Sequence, residues 1–339
     1  MNIAQTARQA AATDVSAADP RAARNVLLEN PSKRRPAALA PLLLSTPDDI
    51  TLRCAVARPA AFPRGTVVIL GGRGDYIERH YELIDGLLER GFAVATFDWR
   101  GQGYSQRLLK NRLKGYVRSF DDYETDLETV MREVVLPDMP PPHFALAISM
   151  GGHILLRASW KHTWFDRGML ISPMVAFAHH PRERFYRLLV RVAPWLGFSR
   201  AFLPGLPKRL MRPEDAPDNA LTSDEERYVR EALFLREYPD LGLAIAPTIG
   251  WMRAALDSME KFNHMVAQGD EPRWPLLALA AARDRLVDPE ALRRLAREVG
   301  NIKATFLHKA RHDITMERDE IRALFWTALD EFFGRENQA

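Results

Sequence analysis

Short runs of apolar, often β-branched residues alternate with amphipathic stretches over most of this chain. The strand-like runs are TLRCAVARP (51–59), TVVIL (66–70), FAVATFD (92–98), FALAI (144–148), MLIS (169–172), WPLLALAAA (274–282) and ATFLH (304–308). Helical patterns lie between them, at 80–91, 121–135, 151–160, 289–300 and 319–333. Strands that alternate with helices form a mostly parallel sheet covered on both faces. The sequence therefore predicts an α/β fold.

The alternation stops between Pro173 and about Arg273, where aromatic residues, Arg and Pro are frequent and several helices are expected. The N-terminal residues are rich in Ala, Arg, Pro and Ser, which is typical of a poorly ordered extension. We therefore predict four parts: an extension (1–42), the first part of an α/β core (43–173), a helical insertion (174–273) and the second part of the core (274–335).

Composition excludes several classes of protein. The 339 residues include 47 basic and 44 acidic side chains, a net charge of +3, which is too small for a nucleic-acid binder unless the charge is clustered. The single cysteine, Cys54, excludes an intrachain disulfide framework and a Cys-rich zinc site. No stretch approaches the ~20 apolar residues that span a bilayer, and the N-terminus lacks the apolar region of a secretory signal. We expect a soluble, cytoplasmic protein.

A serine lies at the junction of a predicted strand and a predicted helix. The motif Ala147-Ile148-Ser149-Met150-Gly151 joins FALAI to GGHILL, and such a turn exposes the hydroxyl above the carboxyl edge of the sheet. Small neighbours are needed because the turn is strained, and Gly151 meets that need. Ala147 stands where the usual G-x-S-x-G pattern has its first glycine. We predict that Ser149 is a nucleophile; the alternative is a helix-capping serine.

A serine nucleophile needs a histidine base and a carboxylate that orients the base, in the chain order Ser, acid, His for this architecture. Asp284 follows a predicted strand and is favoured as the acid over Asp288, which precedes Pro289 and is expected to cap a helix. His312 lies in a loop after the last strand and is the predicted base, whereas His308 belongs to that strand. His308 and His312 have metal-ligand spacing, but no third ligand is evident, so no metal or other cofactor is expected.

Acyl transfer also needs N–H donors for the developing oxyanion. The backbone N–H of Met150 directly follows the nucleophile. The second donor is expected in the glycine-rich loop after an early strand, Gly71-Gly72-Arg73-Gly74, where we choose the N–H of Arg73. The same loop lacks the Lys-Ser/Thr that a phosphate-binding loop requires.

Several blocks, in order and spacing, resemble the α/β-hydrolase family, specifically its bacterial lysophospholipase and monoacylglycerol-lipase-like branch. The likeness runs from about residue 48 to 333 through ILGGRGDYIERHYELIDGLLERGF, FDWRGQGYSQRLL, FDDYETDLETV, ISMGGHI, ISPM, NALTSDEERY, ARDRLVD and ARHDI. The family's triad falls on Ser149, Asp284 and His312, and its oxyanion loop on Gly72 and Arg73. Many relatives begin that loop with His-Gly, whereas this chain has Gly71-Gly72.

The resemblance implies a serine hydrolase of lipid carboxylic esters, a lysophospholipase or monoacylglycerol lipase that works through an acyl-enzyme. A thioesterase, an amidase or a peptidase would use the same triad, and an inactive scaffold that only binds is a further alternative. The resemblance also implies that the helical insertion is a cap above an acyl-chain pocket. The expected partner is a small lipid ester and not a nucleic acid; the oligomeric state stays open.

The insertion carries a locally basic, amphipathic stretch. Phe185, Leu188, Leu189 and Val192 share one helical face, with Trp195 and Leu196 following. Residues 182–212 contain seven Arg and one Lys against a single Glu. One interpretation is a cap that rests on an anionic membrane surface, at the inner face of the membrane. The other is an apolar face packed on the core, with arginines in solvent.

Overall fold

The computed structural model describes residues 24–181 and 183–334. Its central element is one sheet of eight strands with the bounds β1 Ala40–Ser45, β2 Thr51–Ala57, β3 Thr66–Leu70, β4 Ala93–Phe97, β5 His143–Ile148, β6 Arg167–Ile171, β7 Leu276–Ala281 and β8 Ile302–Leu307. The strand order is β1-β2-β4-β3-β5-β6-β7-β8. Strand β2 is antiparallel to both of its neighbours and all later pairs are parallel. The predicted mostly parallel α/β sheet is confirmed.

The longer helices, in chain order, are α1 Tyr81–Glu89, α2 Phe120–Val130, α3 Met150–Lys161, α4 Glu183–Val192, α5 Glu225–Glu237, α6 Ile249–Ala267, α7 Pro289–Glu298 and α8 Asp319–Gly334. Alternate residues of β3 point to opposite faces of the sheet, so Val67 and Ile69 belong to one apolar core, and Val68 and Leu70 to the other. The first core includes residues of α1 and α8, and the second includes residues of α2, α3, α6 and α7. Burial on both faces explains why the five strands β3 to β7 are continuous apolar runs.

The N-terminal segment differs from its prediction over the residues that the structure describes. Residues 1–23 of the predicted extension lie outside them. From residue 24 onward the chain packs against the rest of the protein: Arg53 donates to the carbonyl of Val26 at 2.8 Å, and Lys33 forms a buried ion pair with Glu231. Strand β1 then begins at Ala40, inside the range that we expected to be poorly ordered. Composition missed this because the partners lie far away in the sequence.

Helices α4, α5 and α6 and several single turns of 3-10 helix lie between β6 and β7, where the helical insertion is predicted. Leu203 and Ile249 join residues of α4 in a small apolar cluster of this segment. The four-part division of the chain itself stays a prediction. No helix in the described ranges is long and apolar enough to cross a bilayer.

The apolar face of α4 is turned to solvent. Only Leu189 of the predicted face is half-buried, against the cluster around Val190. The other five predicted side chains are exposed, with fractions of 55% for Phe185, 62% for Leu188, 47% for Val192, 81% for Trp195 and 68% for Leu196. The interpretation that this face packs on the core is therefore wrong for these five residues.

Candidate active site

Ser149 lies between the last residue of β5 and the first residue of α3. Its backbone has φ of 50° and ψ of −109°, a left-handed conformation that is rare for a residue with a side chain and typical of strained functional turns. A Cβ atom on Gly151 would lie 2.3 Å from the carbonyl oxygen of Leu70, so only glycine fits against the end of β3. The tight turn that the motif predicts is confirmed. Ala147 is completely buried, and the extra methyl group is accommodated in the core.

The structure brings Asp284 and His312 together. Asp284 Oδ2 lies 2.7 Å from His312 Nδ1, and both side chains are buried, with exposed fractions of 1% and 5%. The other carboxylate oxygen, Oδ1, accepts the backbone N–H groups of Leu286 and Val287 at 2.7 and 3.1 Å. An acceptor fixed in this way selects the tautomer that carries its proton on Nδ1, which leaves His312 Nε2 unprotonated and able to act as a base.

Asp288 and His308, the alternatives to Asp284 and His312, lie in other structural contexts. Asp288 caps α7 by accepting the N–H of Glu290 at 2.9 Å, as expected from its position before Pro289. His308 lies one residue beyond the end of β8 rather than inside the strand. Within the described part of the chain, no hydrogen bond joins His312 to Ser149; in unliganded hydrolases this contact is often long and tightens around the substrate.

The loop after β3 packs against the nucleophile. A Cβ atom on Gly72 would be 3.3 Å from the Cβ of Ser149. The N–H of Gly72 donates to Asp75 Oδ2 at 2.6 Å, so it is occupied, and the next N–H along the loop is that of Arg73. Met150 begins α3, and the first N–H groups of a helix have no acceptor within the helix. These two donors are the ones that the sequence predicts, and their role in binding an oxyanion stays a prediction.

A buried charge network supports this loop, and the sequence analysis missed it. Arg79 contacts Asp75 at 3.0 Å, Asp313 at 2.9 Å and Glu231 at 3.8 Å, and so links the glycine loop to the residue after His312 and to helix α5. Burial alone would raise the pKa of Asp313, but the charge and hydrogen bond of Arg79 and the hydrogen bond of Thr315 act together to lower that pKa, which keeps Asp313 ionised. The four-residue spacing of Asp75 and Arg79 could have indicated their ion pair. No local pattern indicated the contacts of Arg79 with Asp313 and Glu231, which are distant in the chain.

The block NALTSDEERY also has a structural explanation. The side chain of Asn219 accepts the N–H groups of Leu221 and Thr222 at 2.8 Å and closes a turn. This turn binds the histidine loop, because the backbone N–H of His312 donates to the carbonyl of Ala220 at 3.3 Å and Thr222 Oγ1 donates to a carbonyl of the same loop at 2.8 Å. The turn thus holds His312 from the side of the insertion.

A strained serine above a mostly parallel sheet and a carboxylate–histidine pair at the same edge define an α/β-hydrolase. The family model described as serine aminopeptidase, S33, matches residues 61–319. The chain belongs to this family of serine hydrolases, and the resemblance to α/β-hydrolases is confirmed.

Curated relatives and solved structures agree with this assignment. The chain is 29% identical to lysophospholipase L2 of Escherichia coli over 300 aligned residues, and the alignment covers 86% of each chain. It is 31% identical over 127 residues to monoglyceride lipase of Mus musculus, covering 37% of this chain and 40% of that one. A soluble variant of monoglyceride lipase from Saccharomyces cerevisiae, solved with a substrate analog, shares the fold, with a TM-score of 0.67, 18% identity and coverage of 87% of this chain and 96% of that one.

Proposed function

We propose that this protein hydrolyses the carboxylic ester of a lipid with a single acyl chain, a lysophospholipid or a monoacylglycerol, through an acyl-enzyme on Ser149. The observation that carries the proposal is the buried contact of 2.7 Å between Asp284 and His312, at the same sheet edge as the strained Ser149. The names of the relatives, lysophospholipase L2 and monoglyceride lipase, support the substrate class.

The proposed reaction follows from these positions. Ser149 Oγ attacks the acyl carbonyl while its proton passes to His312 Nε2, and Asp284 stabilises the resulting imidazolium through Nδ1. The oxyanion accepts hydrogen bonds from the N–H groups of Arg73 and Met150. The C–O bond to the glycerol then breaks, and His312 gives its proton to the leaving oxygen. Water, deprotonated by His312, attacks the acyl-enzyme and releases the fatty acid and free Ser149.

A fluorophosphonate probe tests the nucleophile, and the chain offers a matched control. Ser172 follows the neighbouring parallel strand β6 and also has a positive φ, of 41°, but it is completely buried. We expect labelling of the wild type and of Ser172→Ala, and no labelling of Ser149→Ala. Labelling of Ser149→Ala would refute the assignment.

A substrate panel tests the reaction class. It contains a lysophospholipid, a monoacylglycerol, a short p-nitrophenyl ester, an acyl thioester and an aminopeptidase peptide. We expect turnover of both lipid esters that depends on Ser149. If Ser149 is labelled by the probe but only the thioester or only the peptide is turned over, the protein is a thioesterase or a peptidase and not a lipid ester hydrolase.

The exposed face of α4 supports contact with a membrane surface that contains anionic lipid. Leu188 and Trp195 project apolar groups to solvent beside the exposed cations Arg184, Arg187 and Arg191. Apolar side chains flanked by arginines suit a helix that lies in the headgroup region, where each cation near an anionic surface contributes about 1 kcal/mol. This contact would place the protein at the inner face of the membrane, with the insertion acting as a cap that faces the lipid.

Vesicle sedimentation tests the membrane contact. We expect binding to vesicles of phosphatidylcholine with phosphatidylglycerol that weakens with salt and is lost in the triple variant R184Q/R187Q/R191Q or in Trp195→Ser. Leu324→Ser is the control, because Leu324 is 55% exposed on α8. Vesicle binding that is unchanged by salt and by the triple substitution would contradict the proposal. Loss of binding in Leu324→Ser as large as the loss in Trp195→Ser would also contradict it.

A further inference from the structure

The buried arginines of this protein differ in how their charge is balanced. Arg53, Arg79 and Arg100 each have carboxylate oxygens within 3.0 Å, as buried guanidinium groups normally require. Arg73 and Arg107 are different: no carboxylate of the described residues lies within ion-pair distance of either guanidinium, and Arg73 is the one whose loop packs against Ser149. Removing a cation from water without an acid partner costs free energy, so the half-buried Arg73 beside a candidate active site needs an explanation.

The groups around Arg73 solvate its charge but do not cancel it. Its guanidinium donates to the carbonyl oxygens of residues 244, 245 and 246 at 3.1, 3.3 and 3.2 Å, and Cζ lies 5.2 Å from the centre of the Trp251 ring. Its Nε is buried without a hydrogen-bond partner among the described residues. Burial lowers the pKa of Arg73 to about 10, so the side chain remains a cation at neutral pH.

The loop that carries Arg73 packs against the nucleophile. Arg73 directly follows Gly72, at which an added Cβ would lie 3.3 Å from Ser149 Cβ. The carbonyl of a bound ester must lie at Ser149 Oγ. The rest of a small glycerol ester is then within the reach of a long side chain that is anchored on this loop. Arg73 is therefore placed to contact the headgroup of a bound ester.

We propose that the guanidinium of Arg73 binds the phosphate of the headgroup and selects lysophospholipids over neutral monoacylglycerols. The proposal rests on the proposed function and names the preferred substrate within it. A guanidinium matches two phosphate oxygens at once, and hydrogen bonds between charged partners are about twice as strong as neutral ones. The phosphate would therefore replace one or two of the carbonyl oxygens of residues 244–246 as acceptor and supply the missing negative charge.

Arg107 provides a matched control. Its guanidinium also donates to three successive carbonyls of the insertion, those of residues 240, 241 and 242, at 2.7, 3.1 and 3.4 Å. Burial lowers its pKa to about 9; the charges of Arg112 and Arg53 also lower that pKa, whereas Asp98 and Asp240 raise it. Arg107 thus shares with Arg73 both the anchoring role and the missing acid partner among the described residues, but it does not belong to the loop that packs against Ser149.

The experiment compares kcat/KM for 1-palmitoyl-lysophosphatidylglycerol and 1-palmitoylglycerol, presented at equal fractions in neutral detergent micelles. We expect the wild type to prefer the lysophospholipid, and Arg73→Gln to lower the ratio of the two constants at least tenfold, mainly through KM. Arg73→Lys should keep part of the preference because it keeps the charge. Arg107→Gln should leave the ratio unchanged, whatever it does to the separate rates.

Three outcomes would overturn the proposal in distinguishable ways. Equal losses on both substrates in Arg73→Gln would mean that the side chain only anchors residues 244–246. Competitive inhibition of 1-palmitoylglycerol hydrolysis by inorganic phosphate in the wild type but not in Arg73→Gln, with an unchanged ratio, would assign the site to free phosphate. Failure of the wild type to hydrolyse either lipid would refute the proposed function itself.

Discussion

Gly151 is the residue at which a single added methyl group should damage the site most. In Gly151→Ala, the new Cβ would lie 2.3 Å from the carbonyl oxygen of Leu70 and 2.7 Å from that of Gly71. Both atoms belong to the backbone at the end of β3, so neither can rotate away. Ordinary contact begins at 3.4 Å, so α3 and the loop must separate by about 1 Å.

Two free-energy terms set the expected stability. Overpacking a core costs about 1–3 kcal/mol, whereas alanine is favoured over glycine within a helix by about 1 kcal/mol. The contact with rigid backbone places the cost at the upper end, so we expect a net loss of about 2 kcal/mol in the free energy of unfolding.

The expected loss of activity is larger. A misplacement of about 1 Å at a reacting centre costs roughly 100-fold, and loss of one oxyanion donor costs about as much. We therefore expect kcat on a p-nitrophenyl ester to fall about 100-fold while the protein remains folded, as judged by circular dichroism and urea titration. In the control Gly300→Ala, the nearest atom to the new Cβ is 3.7 Å away, and both properties should be unchanged. A Gly151→Ala variant as active and stable as the wild type would refute the packing argument.

Three further predictions concern the charges and the turn around His312. Asp284→Asn should lower kcat about 10⁴-fold by favouring the wrong histidine tautomer, whereas Asp288→Asn should stay within about threefold; equal losses in esterase assays would remove Asp284 from the triad. Burial would raise the pKa of Glu231, but Lys33 and Arg79 outweigh it and hold that pKa at about 2, so this stabilisation is complete above pH 4.5 and is lost as the pH falls toward 2. Glu231→Gln should therefore lower the free energy of unfolding, measured by urea titration, by about 3–5 kcal/mol at pH 7 and by less at pH 3. A difference between wild type and variant that does not depend on pH would contradict the ion-pair argument. Asn219→Ala should lower kcat more than it lowers stability, because the turn it closes holds the histidine loop; unfolding without any kinetic defect in the remaining native protein would argue against this role.

Much of the fold could be predicted from local patterns. Seven of the eight described strands coincide with strand-like runs in the sequence, and the five strands β3 to β7 are apolar because they are buried on both faces. Strand β1, which pairs with β2 and has half-buried residues, was missed because its first residues lie in the segment whose composition predicted a poorly ordered extension. Asp284 and His312 were predicted from their order and their positions after strands, and the structure places them in contact. Their catalytic role and that of Ser149 stay predictions for the probe and substrate experiments.

The charged and exposed features depended on tertiary structure. The partners Lys33 and Glu231 are 198 residues apart, and no local pattern pairs them. Periodicity showed that one face of α4 is apolar, but only the packing of the insertion decides whether that face meets the core or solvent.

The sequence by itself determined the parallel sheet, the strained turn at Ser149 and the candidate triad, because each depends on residue spacing and on which residue types a strand edge can carry. The tertiary structure decided that the N-terminal segment is anchored from residue 24, that the apolar face of α4 is exposed, and that none of the described carboxylates pairs with Arg73. These properties depend on burial and on charge balance. Both are sums over atoms brought together from distant parts of the chain, so neither can be read from a single stretch of it.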